Sequence, residues 1–373
     1  MKSSMQVEER TFFRRIDFSL IVVILGLNLI GLINLYSATH SIHNQGTSRL
    51  FLNQIGWFFV GWSVFFVITL VNYQFFKRIA YILYAMNIGA LTLVMFMGRR
   101  ILGAQRWLDL GIFHYQPSET MKLTLIVVLA KLLAGKDIQK GLGYKDLLGP
   151  TLLVVIPFAL TVKQPDLGTA MLLIFIAMSM IIFVRIKKSI LITALALSFV
   201  AAPIVWNFGL KTYQKNRILT FLYPGRDPRG AGYNSIQSKI AVGSGKILGK
   251  GFRKGTQSQL EFLPERHTDF IYSVLSEEHG FIGSIFTLSL FMILFMISLR
   301  IASQSRDRFG ALMTVGIVSY IFWHMLINIG MVIGILPIVG VPLSLLSYGG
   351  TGMLSTMVGL GLISSVAYRR YLF

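Results

Sequence analysis

The sequence contains no cysteine and few charged residues. Without a thiol, the chain cannot form a disulfide, a thiolate nucleophile, an iron–sulfur cluster or a cysteine-ligated zinc site. Only 13% of its 373 residues are charged, whereas a soluble globular domain carries roughly 25%. Hydrophobic residues make up 54% of the chain, and its mean hydropathy is +0.67. This composition is typical of an integral membrane protein.

Several common functional motifs are also missing. None of the six histidines belongs to an HExxH pair, which excludes the zincin type of metal site. The glycine-rich stretch 243–251 resembles a phosphate-binding loop, but Gly251 stands where a Walker A motif needs Ser or Thr. The net charge of +20 lies mostly in short clusters between apolar segments. No basic stretch is interleaved with aromatic residues in a polar domain, so nucleic-acid binding is not expected.

Ten apolar segments approach the length of about 20 residues that crosses a bilayer. The first has no small-residue cleavage site behind a short core, which indicates a retained helix rather than a signal peptide. The predicted fold class is an all-α integral membrane protein of about ten transmembrane helices, in one membrane domain over 1–373. The segments lie near 18–39, 51–71, 79–98, 118–134, 147–162, 169–184, 189–208, 269–299, 310–333 and 347–367.

Positive charge is distributed unevenly between the two sides of such a bundle. With the N terminus inside, the inner loops and termini hold eighteen Lys and Arg, and the short outer loops hold five. The positive-inside rule favours this orientation, so both termini are predicted to be cytoplasmic. The one large loop, 209–268 between the seventh and eighth spans, is then extracytoplasmic.

That large loop ends in a cluster of ionisable residues, 265–269, directly before the eighth span. A carboxylate partly removed from water at the mouth of a membrane bundle can have a pKa raised toward neutrality, as a general base needs. Asp269 is the candidate for this role. The alternative is that Thr268 or Asp269 simply caps the following helix. The two roles are compatible, and the pattern alone does not separate them.

Two charged residues open the fourth segment. Glu119 near a helix start and Lys122 three residues later suit the helix dipole and an i,i+3 ion pair. Lys122 nevertheless lies inside the apolar run, where a charge is costly and usually faces a cavity or a partner. Both residues are therefore predicted to line a functional cavity.

Further polar residues indicate anion binding on the outer side. Arg106 precedes the fourth span and is placed to meet an anion, while Trp107 is expected to be an interfacial anchor. Asp166 lies in a break that contains Pro165 and Gly168, and it either caps the sixth helix or faces the site. The cations of the large loop form a solvated face, a patch for anionic lipid, or a site for a pyrophosphate head group.

Several stretches from the third to the tenth span resemble the SEDS family (shape, elongation, division and sporulation), and within it the RodA branch. They are GAQRWLDLG (103–111), QPSE (116–119), QPDLG (164–168), the run 232–245 that ends in QSKIAVGSG, GTQSQLEFLPERHTDF (255–270), GILPIVGVP (334–342) and SYGG (347–350). One departure is Ser344-Leu345-Leu346, where Pro and a different apolar pair are expected. It concerns packing more than chemistry.

The resemblance implies a peptidoglycan glycosyltransferase that polymerises undecaprenyl-diphosphate-linked lipid II on the outer face of the bacterial cytoplasmic (inner) membrane. It implies work in cell elongation and rod-shape maintenance, in complex with a class B penicillin-binding protein of the elongation machinery. The family's essential loop aspartate falls on Asp269. The predicted substrate-binding residues are Arg106, Glu119, Lys122, Asp166, Arg217, Lys239 and Arg266.

In the expected reaction, Asp269 deprotonates the 4-hydroxyl of the acceptor's N-acetylglucosamine, which attacks the anomeric carbon of the donor's N-acetylmuramic acid. The diphosphate leaves, and a β-1,4 bond forms with inversion. Fixed cations, with or without a divalent cation such as Mg²⁺ or Mn²⁺, stabilise the leaving group. No set of residues has the spacing of a metal site. Two other functions stay open, a lipid II flippase and a non-catalytic scaffold for the penicillin-binding protein.

Overall fold

The structure is a computed structural model that describes residues 17–40, 48–101, 104–109, 111, 114–136, 141–223, 225 and 230–370. Seven long helices come first: α1 Phe18–Thr39, α2 Arg49–Leu70, α3 Tyr73–Met97, α4 Pro117–Ala134, α5 Tyr144–Lys163, α6 Leu167–Phe183 and α7 Lys188–Ile204. A π-helical turn, Val205–Gly209, continues α7. Three short helices follow: α8 Thr212–Leu222, α9 Ala231–Ser244 and α10 Thr256–Gln259. The last long helices are α11 Ile271–Ser303, α12 Arg308–Val332 and α13 Gly350–Arg369.

Each predicted apolar segment coincides with one of these long helices. Within the described ranges, eight helices are long and apolar enough to cross a membrane. Helix α6 is a shorter apolar helix, and α4 carries Glu119, Lys122 and Lys131 among its residues. The helical membrane fold is thus confirmed, and the count of ten spans stays a prediction. The N-terminal cations that entered the orientation argument lie in residues 1–16, outside the described ranges.

The centre of the bundle is formed by α4, α12 and α13. The most apolar windows of α12 and α13 are 67% and 78% buried inside the protein, whereas that of α7 is only 6% buried. Helix α4 is buried along almost its whole length. Helix α7 therefore lies at the edge of the bundle, with an apolar surface suited to hydrocarbon.

A small antiparallel sheet adds an element that the all-α prediction did not contain. Its strands are β1 Arg99–Ile101, β2 Ala104–Asp109 and β3 His114–Tyr115, in the order β1-β2-β3. Pairing the strands of the link between α3 and α4 satisfies backbone groups that would otherwise need water. The sheet holds Arg106 and Trp107 beside the start of α4.

Two acidic residues inside α11 are paired inward, as their place in an apolar segment predicts. Glu277 Oε1 accepts hydrogen bonds from Lys250 Nζ at 2.7 Å and from Thr256 Oγ1 at 3.1 Å. Glu278 Oε1 accepts one from Ser37 Oγ at 2.5 Å. These contacts attach the end of the large loop and α1 to the first turns of α11.

The glycine-rich stretch 243–251 packs against α11 and does not form a phosphate loop. Gly249 has a φ of +80°, and a Cβ at this position would lie 2.1 Å from the carbonyl oxygen of Glu278. Opposite it, Gly280 has a φ of +63° and interrupts the helical geometry of α11. Glycine is needed at both positions because the two backbones approach each other closely in left-handed conformations.

Replacing Gly249 by alanine is expected to lower stability, since the methyl group would collide with backbone and the left-handed φ disfavours an L side chain. We expect a loss of at least ~2 kcal/mol, visible as a lower melting temperature of the purified protein in detergent. The matched control is Gly243→Ala in α9, where an added Cβ meets nothing within 4 Å. It should leave melting unchanged or raise it slightly. Equal melting of both variants would contradict this account of the stretch.

Candidate functional site

A cavity of about 530 Å³ opens at one end of the bundle. Its walls come from described residues of the links 98–116, 164–166, 210–270 and 333–349 and from residues of the long helices that these links join. These links alternate along the chain with the opposite set of links. The predicted site residues that line it are Arg106, Glu119, Asp166, Arg217 and Asp269. Residues far apart in sequence are thus brought together around one space.

Asp269 lies in a turn directly before α11. The N-cap of that helix is Phe270, with no side-chain capping hydrogen bond, so the prediction that Thr268 or Asp269 caps it is wrong. The reason is a turn at Glu265, whose φ is +52° and whose carbonyl accepts from the amides of Thr268 and Phe270 at 3.1 and 3.3 Å. This turn delays the helix start and leaves the Asp269 carboxylate among the cavity-lining groups.

The surroundings of Asp269 favour its protonated form. Its pKa is raised to about 6, first by burial and then by the negative charge of Glu265, while Arg217 opposes the rise. A carboxylate with this pKa is still ionised at neutral pH and is a stronger base than an ordinary aspartate. These are the properties of a general base.

The backbone around Asp269 is held by side chains from two other parts of the chain. Asn328 Nδ2 of α12 donates a hydrogen bond to the carbonyl of Asp269 at 2.8 Å. Ser347 Oγ donates to the carbonyl of Thr268 at 2.7 Å. Because both acceptors are backbone atoms, the turn is fixed independently of what its side chains bind.

A buried charged network lies beneath the cavity. Lys122 is fully buried, and its Nζ donates to Glu119 Oε1 at 2.6 Å and lies 2.8 Å from His324 Nε2. The predicted ion pair is therefore present. Glu119 Oε2 has no hydrogen-bond partner among the described residues, and Glu119 lines the cavity. One oxygen of this carboxylate is thus an unused hydrogen-bond acceptor in a residue of the cavity wall.

Sequence reasoning missed His324, the histidine of this network. Its Nδ1 lies 3.0 Å from the carbonyl oxygen of Pro342, which assigns the Nδ1 proton to that bond and leaves Nε2 to accept from Lys122. The available signal was a histidine in the middle of the apolar segment 310–333. A lone histidine of this kind does not identify its partner.

Asp166 and Arg106 form a second polar group in the wall. Asp166 caps α6, accepting from the Thr169 amide at 3.3 Å and from Thr169 Oγ1 at 2.9 Å, so the capping interpretation is confirmed. Its Oδ1 is also 3.7 Å from Arg106 Nη1. Arg106 donates further to the backbone carbonyls of Gln164 and Pro165. The arginine is held by its neighbours before any ligand arrives.

Arg217 of α8 brings a second guanidinium to the cavity. It donates to the carbonyl of Val339 at 3.3 Å, and a guanidinium has five N–H donors, suited to a phosphate or carboxylate. Together, Arg217 and Arg106 fit an anion. The carboxylates of Asp166 and Asp269 also line the space, but within the described residues no group of three or more His, Asp or Glu is arranged for a metal ion.

Three predicted residues do not line the cavity. Lys122 lies below it in the network just described. The Lys239 side chain packs against Gly334, where an added Cβ would come within 1.8 Å of its Cε. Arg266 turns toward α1, donating to the Ala38 carbonyl at 2.8 Å and pairing with Glu261 at 2.8 Å. Substrate contacts by Lys239 and Arg266 therefore find no support in this arrangement.

Comparisons with known proteins extend over nearly the whole chain. Residues 18–372 match the model of the cell cycle protein family of FtsW, RodA and SpoVE. The peptidoglycan glycosyltransferase MrdB of Escherichia coli (strain K12) is 37% identical over 364 residues, covering 97% of this chain and 96% of that protein.

Two solved structures show the same fold. A chain from a peptidoglycan synthase complex is 30% identical with a TM-score of 0.81, covering 96% of this chain and 99% of that one. The rod shape determining protein RodA of Thermus thermophilus is 26% identical with a TM-score of 0.70, covering 96% of this chain and 98% of that one.

Proposed function

This chain belongs to the FtsW, RodA and SpoVE family, the SEDS family, and we propose that it polymerises lipid II in the cavity that holds Asp269. Its RodA and MrdB relatives are named peptidoglycan glycosyltransferases, and this chain is one as well. The observation that carries the proposal is a cavity that combines a carboxylate of pKa about 6 with two arginines. A base and an anion site in one space are what glycosyl transfer from a diphosphate requires.

Asp269 is the base in this proposal. It takes the proton from the 4-hydroxyl of the acceptor's N-acetylglucosamine as that oxygen attacks the anomeric carbon of the donor's N-acetylmuramic acid. The bond from this carbon to the diphosphate breaks, and a β-1,4 linkage forms with inversion. Burial of Asp269 supports the role, because it raises the proton affinity of the carboxylate.

Arg106 and Arg217 stabilise the leaving diphosphate. Negative charge develops on its bridging oxygen as the glycosidic bond breaks, and preorganised cations lower the barrier where such charge develops. Both arginines are tied to backbone carbonyls, so little reorganisation is needed. Glu119 lies in the same wall, and its free oxygen is suited to accept a hydrogen bond from a sugar or peptide group of the substrate.

The cavity faces the exterior or periplasmic side in this proposal. Its four links alternate with the loops that hold most of the short-loop Lys and Arg, and these cations mark the cytoplasmic side. Homology to MrdB supports the bacterial inner membrane as the proposed location of this multi-pass chain. Lipid II bearing its headgroup outside would reach the cavity from the same leaflet.

We propose a class B penicillin-binding protein as the partner, within the elongation machinery. A solved chain of the same fold belongs to a peptidoglycan synthase complex that coordinates polymerization and crosslinking. Two such activities in one complex support a partner that crosslinks the strands this chain makes.

The proposal is tested by supplying fluorescent lipid II to the purified full-length protein, with and without a class B penicillin-binding protein. The expected product is glycan strands that a β-1,4-muramidase degrades. Headgroup translocation in proteoliposomes is measured in parallel. Translocation without strands would overturn the proposal in favour of a flippase. Absence of both activities, with folded protein and its partner bound, would favour a scaffold.

The pH dependence of kcat/KM should report Asp269. A base must be deprotonated to act, so activity is expected to fall as the pH drops through about 6. Because the charge of Glu265 raises this pKa, Glu265→Gln should move the acid limb to lower pH. A limb near 4, or one that Glu265→Gln leaves in place, would contradict the assignment of Asp269.

A further inference from the structure

A single buried amide joins two walls of the cavity. Asn328 is fully buried on α12. Its Nδ2 donates one hydrogen bond to the carbonyl of Asp269 at 2.8 Å and a second to the carbonyl of Val341 at 2.7 Å. Both N–H groups of the side chain are thus used, and each holds a different segment of backbone.

The second segment, 339–342, lies directly against the carboxylate. A Cβ built on Gly340 would be 3.3 Å from Asp269 Oδ2, and the φ of Gly340 is +74°. A glycine thus lets this backbone pass close to the carboxylate without closing the cavity. The distance between the segment and Asp269 decides how much of the carboxylate an acceptor can reach.

One helical turn before Asn328, His324 holds the same segment. His324 Nδ1 donates to the carbonyl of Pro342 at 3.0 Å, while its Nε2 lies 2.8 Å from Lys122. Residues four apart lie on one face of a helix. Helix α12 therefore fixes the segment 339–342 at two consecutive carbonyls, through Asn328 and His324.

We propose that Asn328 is a positioning residue of the transferase, which sets the place of Asp269 by holding its backbone and the segment 339–342 at a fixed separation. This inference rests on the proposed role of Asp269 as the base. Asn328 does not touch the reacting atoms. It holds the main chain of Asp269, and in this way it determines the position of the carboxylate relative to the acceptor hydroxyl.

The choice of an amide here is informative. Asn328 Oδ1 is buried without a hydrogen-bond partner among the described residues, and an unpartnered buried oxygen costs free energy. An apolar side chain of similar size would avoid that cost but could not donate to two carbonyls. The two N–H donors therefore explain why an asparagine stands at this position, whereas the volume of the side chain does not.

The test is steady-state polymerisation of lipid II by the full-length protein with its penicillin-binding partner. The variants are Asn328→Ala, which truncates the side chain at Cβ, and Asn328→Leu, which keeps a side chain of similar size and removes both donors. A misplacement of about 1 Å can cost on the order of 10²-fold. For both variants we expect kcat to fall by about 10- to 100-fold, with KM changed less than about threefold.

The control is Asn28→Ala, which removes another buried asparagine. Asn28 is 2% exposed on α1, and it contacts Met357 Sδ at 4.0 Å rather than the walls of the cavity. Its loss also leaves a cavity in the core, and it should leave kcat within about twofold. If Asn28→Ala reduces kcat as strongly as Asn328→Ala, or if Asn328→Leu retains full kcat, the inference is overturned.

A second measurement does not depend on activity. Hydrogen exchange of the backbone amides in 268–273 and 339–343 should be faster in Asn328→Ala than in wild type, and unchanged in Asn28→Ala. Unchanged exchange in both segments of Asn328→Ala would overturn the inference even in an active enzyme. An inactive wild type would count against the proposed function, while the exchange result would still decide whether Asn328 joins the two walls.

Discussion

Asp269→Asn is expected to lower the rate of lipid II polymerisation by about 10²- to 10⁴-fold, the range that general-base catalysis contributes. The amide has nearly the same shape but cannot accept the proton of the acceptor hydroxyl. The backbone contact from Asn328 goes to the carbonyl of residue 269 and not to its side chain, so the turn should persist. Binding of lipid II, measured in parallel, should change less than about threefold. Equal rates for variant and wild type would remove Asp269 from the mechanism.

The same substitution should raise stability, which separates lost chemistry from lost fold. The pKa of Asp269 is about 6 in the folded protein and about 3.9 in an unfolded chain. The ionised carboxylate therefore destabilises the fold above pH 6, and the penalty disappears as the pH falls toward the unfolded value. Asp269→Asn should melt at a higher temperature than wild type at pH 8, with a smaller difference at pH 5. A lower melting temperature at pH 8 would indicate structural damage instead.

Lys122→Met should have the largest effect on stability. Lys122 is fully buried, and its removal leaves the Glu119 carboxylate without its cation and His324 Nε2 without a donor. Breaking a buried pair on one side typically costs about 3–5 kcal/mol. We expect a marked fall in melting temperature together with loss of polymerisation.

The double variant Glu119→Gln with Lys122→Met separates the loss of stability from the loss of polymerisation. Glu119→Gln removes the buried charge that Lys122→Met alone leaves uncompensated, while His324 Nε2 still lacks its donor, so melting should recover in part while activity does not. The control is Lys131→Met at the other end of α4, where Nζ is 3.5 Å from the Arg78 carbonyl. That change should cost less than about 1 kcal/mol. A double variant no more stable than Lys122→Met alone would refute the pairing argument.

Much of the helical framework could be read from local sequence. Apolar runs of bilayer length predicted the long helices, because each run is a property of consecutive residues. The Glu119–Lys122 pair was predictable for the same reason, since its members are three residues apart on one helix. The capping prediction at Asp269 failed because it assumed that the helix starts where the apolar run starts. The left-handed turn at Glu265 moves that start to Ile271.

The contacts that complete the site are not local. Asn328 meets Asp269 across 59 positions of the chain, and His324 meets Lys122 across 202. No sequence period or motif spacing predicts contacts between residues so far apart in the chain. In the sequence, Asn328 and His324 are isolated polar side chains in an apolar run. The sequence also could not predict where the side chains of Lys239 and Arg266 point, because a loop cation can face the cavity or a neighbouring helix. Three-dimensional packing decides these cases.

The difference in burial between α7 and α13 has a consequence for how the sequence can drift over evolutionary time. In a helix that is 6% buried, almost the only constraint on the residues is that they suit the surrounding hydrocarbon. Its leucines, isoleucines, valines and phenylalanines are therefore interchangeable as long as the helix stays hydrophobic. A helix that is 78% buried must fit its neighbours, and there a change of one methylene is felt. Among descendants of this protein, α7 should stay hydrophobic while its residues are exchanged, whereas α13 should keep both its hydrophobicity and its residues.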